Sequence, residues 1–330
     1  MDRSIPAALQ RPVAESPARP SPSARRTSHV DIVPDERGDG NLVLSGQVRD
    51  LVTSADGGTA IAGEARVRAE LGAGRRLEAI DATPWLPELG GLLGRPVAAG
   101  FRSAVDELVP GEHLARSPLA LMLDDLPVAA LIAGYADLYV RSENPRGDDE
   151  GPTRAGSLKS DICSGWRTGG TMLTLTAEQG FLPVPVGPVA PRLERAGDPF
   201  SWHEVGPSLP GSMRRRRLID VSPGDLLTVF AMFRDTYTDP AGTETVLHEY
   251  TIDLTVDPVS LEVRAGSATP RNLPWTECPS AALSAGRIVG HRTDELSDLV
   301  RADFRGISTC THLNDLVRSL TGVGALARLL

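Results

Sequence analysis

The chain has 330 residues, 41% of them apolar and 23% charged, a length and composition that suit two folded domains. A net charge of −9 argues against the basic face that nucleic acid requires, so no nucleic-acid partner is expected. Aromatic residues make up only 4%, which leaves the cores to Leu, Val, Ile and Ala.

Residues 1–25 are rich in Pro, Ala, Ser and Arg, lack a hydrophobic period and lack the apolar segment of a secretory signal. They are expected to form a disordered tail. Residues 26–140 and 214–330 read as two copies of one unit, joined by an inter-repeat segment over 141–213. Within that segment, Arg141 to Gly156 reads as a linker and Leu182 to Pro191 as an extended Pro-rich stretch. The copies match in order. Arg25-Arg26 and Asp31 lie against Arg216-Arg217 and Asp220, and Arg49-Asp50 against Arg234-Asp235. Ala82-Thr83-Pro84 lies against Ala268-Thr269-Pro270, Leu92-Leu93-Gly94 against Ile288-Val289-Gly290, and Asp125-Leu126 against Asp315-Leu316.

The coarse pattern in each copy is alternating, β-branched runs followed by helical ones. In the second copy the strands are Leu218–Val221, Leu226–Arg234, Val246–Val256 and Leu261–Ala265. His248, Tyr250, Ile252, Leu254 and Val256 share one strand face, which places His248 toward the core. Pro279 makes Cys278 the N-cap of a helix that ends near Gly290, Arg292–Phe304 is a second helix, and a third opens near Cys310-Thr311-His312. The expected fold class is α+β: two repeats, each an antiparallel sheet of about four strands followed by helices, in a pseudo-twofold arrangement. No run of about twenty apolar residues is evident, so no membrane span is expected.

The positions shared by the copies are those a fold needs, and the reactive residues differ. Cys310 falls on Ala120 and His312 on Met122, while His248 falls near Glu64 and Cys278 has no cysteine counterpart. At a helix N-terminus the free N–H groups favour a thiolate, so Cys278 and Cys310 are expected to have lowered pKa values. His248, Cys278, Cys310 and His312 offer two thiolates and two imidazoles, a donor set for zinc or iron. Glu249, Tyr250 and Asp315 are candidate general acids or bases near them. The competing readings are that the four residues are core, or that they act as metal-free Cys/His catalysts. Cys163 reads as a packed turn cysteine, Arg214–Arg217 as a solvated strand edge or salt-bridge source, and Trp202-His203 as a cleft wall or loop anchor. Asp124-Asp125 reads as a helix-start or packing feature. Three cysteines without a signal segment point to the cytoplasm. Phosphate-binding glycine motifs are absent, which leaves a nucleotide cofactor unsupported.

Met213-Arg-Arg-Arg-Arg-Leu-Ile-Asp220, Gly242-Thr-Glu-Thr-Val-Leu-His-Glu-Tyr250, Ala268-Thr-Pro-Arg-Asn-Leu-Pro-Trp-Thr-Glu-Cys278 and Ser308-Thr-Cys-Thr-His-Leu-Asn-Asp315 resemble the bacterial "domain of unknown function 2889" family. That name implies no activity. At the level of layout, Cys278-Pro-Ser-Ala and Cys310-Thr-His312 at helix starts resemble the NifU-like iron–sulfur scaffolds. That likeness implies Cys278, Cys310 and His312 as ligands, although the pair here is Cys-x-His rather than His-Cys and the usual hairpin cysteine is missing. The expectation is a metalloprotein, a lyase, isomerase or hydrolase acting on a small organic substrate. The alternative is a non-catalytic binding or accessory module, and a homo-oligomer stays open under either.

Overall fold

The computed structural model describes residues 3–34, 41–143 and 159–330. Nine strands make one antiparallel sheet, two four-stranded meanders side by side with the two-residue strand Leu9–Gln10 on one edge. Four of them, β3 (Ser23–Pro34), β4 (Leu42–Thr53), β5 (Thr59–Leu71) and β6 (Leu77–Thr83), form a meander. Another four, β8 (Met213–Ser222), β9 (Leu227–Thr238), β10 (Glu244–Val256) and β11 (Val263–Leu273), form a second one. The two quartets join where β3 pairs with β8, from Ala24 opposite Val221 to Ile32 opposite Met213. Alternation in the sequence foretells these strands, and the structure lengthens each strand expected in the second half.

One sheet face carries the helices. Over the first quartet lie α1 (Phe101–Leu108), α2 (Pro110–Ala115) and the long α3 (Pro118–Glu143). Over the second lie a 3-10 helix at Cys278–Ile288, α5 (Leu296–Asp303), α6 (Thr311–Ser319) and α7 (Val323–Ala327). Between the quartets comes α4 (Thr171–Gln179). Cys278 is thus the first residue of a 3-10 helix rather than its cap, while Cys310 does cap α6. The window Pro118–Ala136 within α3 has a mean hydropathy of 1.6, so one segment does meet the length and composition of a span. It is 72% buried, and it serves as the core helix of the first quartet.

The opposite face is covered by residues 12–22 and 190–208, which lack regular structure, and two expectations change. Among residues 3–22, read as a disordered tail, β1 (Ser4–Pro6) pairs with β7 (Val184–Val186) and β2 (Leu9–Gln10) extends the sheet beside β11. The carbonyls of Val13 and Pro17 accept from Arg234 and Arg25. The composition hid this because the groups that hold the segment belong to the sheet. The linker expected at Arg141 to Gly156 lies mostly outside the described residues, and its start belongs to α3.

Arg214–Arg217 is not a solvated edge. It sits on β8 in the middle of the sheet, and period-2 alternation sends its side chains to both faces. On the covered face, Arg25 pairs with Asp220 and Arg214 with Asp31. On the helix face, Arg26 pairs with Asp50 and Arg215 with Asp235. Arg25 and Arg214 therefore hold corresponding positions, as do Arg26 and Arg215. That is two residues away from the match with Arg216-Arg217 that the sequence suggests.

Candidate functional site

The helix face of the second quartet gathers the chemistry. β9 presents Phe233 and Asp235 toward α6, although aspartate is an unusual choice inside a strand. Arg215 holds Asp235 with both ends of its guanidinium, Nε to Oδ1 at 2.7 Å and Nη2 to Oδ2 at 2.9 Å. On β10 a register shift between Val246 and His248 sets His248 directly across from Asp235. A bulge of this kind re-aims a side chain beside a site. From above, the second residue of α6, His312, stacks on His248 with ring centroids 3.8 Å apart and planes 19° from parallel.

The two imidazoles turn toward one carboxylate oxygen. His248 Nδ1 lies 3.7 Å and His312 Nε2 4.0 Å from Asp235 Oδ2, too far for hydrogen bonds. Both nitrogens are buried and, among the described residues, without a partner. Burial, reinforced by the charge of Arg215, lowers His312 to about 3. Burial and the neighbouring His312 ring push His248 well below its ordinary value. Both rings are therefore neutral at pH 7 and present lone pairs rather than charge. Among the described residues, Asp235, His248 and His312 are the His, Cys, Asp and Glu residues whose ligand atoms converge as a group of three, all within 4.8 Å of one another.

This differs from the expected set of His248, Cys278, Cys310 and His312. The two histidines come together, but the thiols stand back from the converging atoms. Cys310 Sγ contacts the other nitrogen of His312, Nδ1, at 3.8 Å. The expected lowering of the thiol pKa values is overturned as well. The N–H groups of Leu313 and His312 in the first turn of α6 do favour a Cys310 thiolate, but burial outweighs them and raises Cys310 to about 11. Burial pushes Cys278 well above its usual range too. Desolvation costs the charged form more than a helix end returns.

The candidate acids and bases separate. Glu249 points to the covered face, where it pairs with Arg234 and accepts from the N–H of Val13. Adjacent strand residues face opposite ways, so His248 and Glu249 cannot share a site. The Tyr250 hydroxyl donates to the Cys278 carbonyl at 3.1 Å. Asp315 is buried under α6. Burial would raise its carboxyl, but Arg217, Arg215 and Arg102 hold it well below the usual carboxylate range. A carboxylate held by three arginines is built into the structure and is not poised to move a proton. Asp125 pairs with Arg217, a packing role that agrees with the sequence reading.

Beside the histidines lies a cavity of about 310 Å³. All three cysteines reach it, and Cys163, read as a turn residue, is one of its walls. Leu131, Tyr135, Trp166 and Trp275 supply much of the remainder. Tyr135 meets His248 edge-on at 5.3 Å, and burial keeps its phenol protonated. Asp235 and Tyr135 escape sequence reasoning for different reasons. Asp235 matches Asp50 and so looks like a fold position, and Tyr135 sits on a helix apolar all round, with no face to single it out. An aspartate within a strand of apolar residues is the signal that would have found the first.

Residues 213–325 match the family model described as a protein of unknown function (DUF2889). The match includes Asp235, His248, Cys278, Cys310 and His312. No curated protein and no solved structure matches the chain.

Proposed function

We propose that this chain is a metalloprotein that holds one divalent cation, zinc or iron, between Asp235, His248 and His312, and that the adjoining cavity receives a small organic substrate with an apolar body. The observation that carries this reading is the pair of buried, partnerless nitrogens turned toward one carboxylate oxygen. Each such orphan costs about 1–3 kcal/mol, and a cation between the three residues would satisfy both. Zinc binds nitrogen and oxygen at about 2.0–2.2 Å, which in a tetrahedron separates ligand atoms by roughly 3.4 Å. The present 3.7 and 4.0 Å would need to close by about 0.3 and 0.6 Å. Two imidazoles and one carboxylate, with a position left open, suit catalytic zinc or non-haem iron.

Such an ion would supply a Lewis acid or a water of lowered pKa, the chemistry of a lyase, isomerase or hydrolase. Arg215 holds Asp235 in place. The Tyr135 phenol offers a proton donor at the cavity wall, and the three thiols and two tryptophans exclude water. Three buried free thiols fit the reducing cytoplasm. We read the quartets as an internal duplication with a pseudo-twofold axis between Ser28 and Arg217, which face each other on β3 and β8. The reciprocal pairs Arg25–Asp220 and Arg214–Asp31 support it.

One observation favours a second reading, a metal-free module that binds an apolar ligand. Arg215 already takes both oxygens of Asp235, and the cavity wall is largely apolar. Elemental analysis of protein purified without a metal-affinity tag separates the two. About one zinc or iron per chain, lost in His248→Ala and His312→Ala but kept in Cys278→Ser, is the expected result. Metal-free protein that takes up neither ion would leave the binding module.

A further inference from the structure

On the covered face of the sheet, away from the histidine cluster, a cleft of about 1000 Å³ lies between the strands and residues 190–208. Arg49, Arg214, Arg216 and Arg234 reach it from β4, β8 and β9, and Trp202 and His203 close it. Two of these arginines are balanced by carboxylates on the sheet: Arg214 by Asp31 and Arg234 by the fully buried Glu249. Arg49 is not. It occupies on β4 the place that Arg234 occupies on β9, and the residue across from it on β5 is Glu64, as Glu249 is across from Arg234. Glu64 is exposed, and among the described residues no carboxylate lies within ion-pair distance of Arg49. Arg49 is only 6% exposed, donates Nη2 to the Phe200 carbonyl at 2.7 Å, and keeps a buried Nε without a partner. In the same cleft the buried Nε of Arg216 and the buried indole N–H of Trp202 also lack partners. Among the described residues Arg216 forms an ion pair with Glu194 alone, which is 41% exposed on the covering segment. Burial disfavours the charge on both guanidiniums.

Glu64 and Asp198 favour the Arg49 charge from beyond ion-pair distance, so three buried donors and a guanidinium without a contact ion pair in one concave site point to an absent acceptor. His203 adds no positive charge, because burial lowers it to about 2 and its ring nitrogens are taken by Thr27 and His29. We propose that this cleft binds the oxyanion group, phosphate or carboxylate, of a small ligand through Arg49, Arg216 and the Trp202 indole. Glu194 competes for Arg216 when the site is empty. A planar guanidinium fork matches either oxyanion.

The test is calorimetric titration of the full chain with inorganic phosphate and with succinate, at constant ionic strength set by chloride. Saturable binding of at least one is expected, weakened tenfold or more in Arg49→Met. Glu194→Gln frees Arg216 and is expected to tighten binding about threefold, which keeps the test open should the arginine variant fail to fold. Phosphate tighter than succinate, or the reverse, assigns the ligand class. Absence of saturable binding of both, or equal binding by wild type, Arg49→Met and Glu194→Gln, overturns the proposal.

Discussion

Asp50 and Asp235 hold the same post in the two quartets. Each sits on the second strand of its meander, and each is gripped by an arginine from the first strand, Arg26 or Arg215. What faces them differs. Across from Asp50 is Gly63, and the space its missing side chain leaves is taken by Pro118 at the start of α3. Across from Asp235 is His248, and α6 lowers His312 onto it. One arginine–aspartate pair can thus be pure architecture in one quartet and the floor of the proposed metal site in the other. The two quartets share the pair and differ in the side chains above it.

The largest expected effect comes from breaking both pairs in parallel. Asp50→Asn leaves the buried Arg26 without its carboxylate and should cost about 3–5 kcal/mol, whereas in Asp235→Asn the Arg215 guanidinium keeps Asp315 and the cost should be smaller, about 1–3 kcal/mol, each read as a lower urea midpoint. Only Asp235→Asn should lower metal content. Loss of metal in both variants would mean that the site depends on the whole sheet and not on Asp235.

Acid comes next. Burial lowers His29 to about 4, His203 to about 2 and His312 to about 3. In the unfolded chain these imidazoles take up protons near pH 6.5. Between roughly pH 6.5 and 4 the unfolded state binds more protons, so stability is full above this window and falls as pH drops through it. Each neutral histidine contributes about 1.4 kcal/mol per pH unit. Urea unfolding at pH 7, 6 and 5 reads the slope, and His203→Gln should flatten it by one histidine's share. A slope unchanged in that variant would contradict a neutral, buried His203.

The smallest effect concerns the thiols. With Cys310 near 11 and Cys278 well above its usual range, neither should react with iodoacetamide at pH 7.5 over hours, until urea exposes them. Selective alkylation of native Cys310 would restore the nucleophile reading.

Much of the fold was legible. Period-2 alternation gave the core-side placement of His248, and the polar start of α6 gave His312 beside Cys310. The rest of the site was harder to read because it depends on long-range pairing. Asp235 reaches His248 through strand register and His312 through the docking of α6, and neither contact leaves a mark in local spacing. Cysteines at helix starts looked like ligands because the sequence displays the helix end but not the burial that outweighs it. The Pro-rich start looked disordered because what holds it is not in its own composition: the carbonyls of Val13 and Pro17 accept from Arg234 and Arg25, side chains of the sheet.

The most direct test of the central claim is the absorption spectrum of the chain loaded with one equivalent of cobalt(II). A carboxylate and two imidazoles predict visible ligand-field bands without an intense near-ultraviolet thiolate band, abolished in His312→Ala and intact in Cys310→Ser. A strong thiolate-to-cobalt band that disappears in Cys310→Ser, or no cobalt uptake at all, would contradict it.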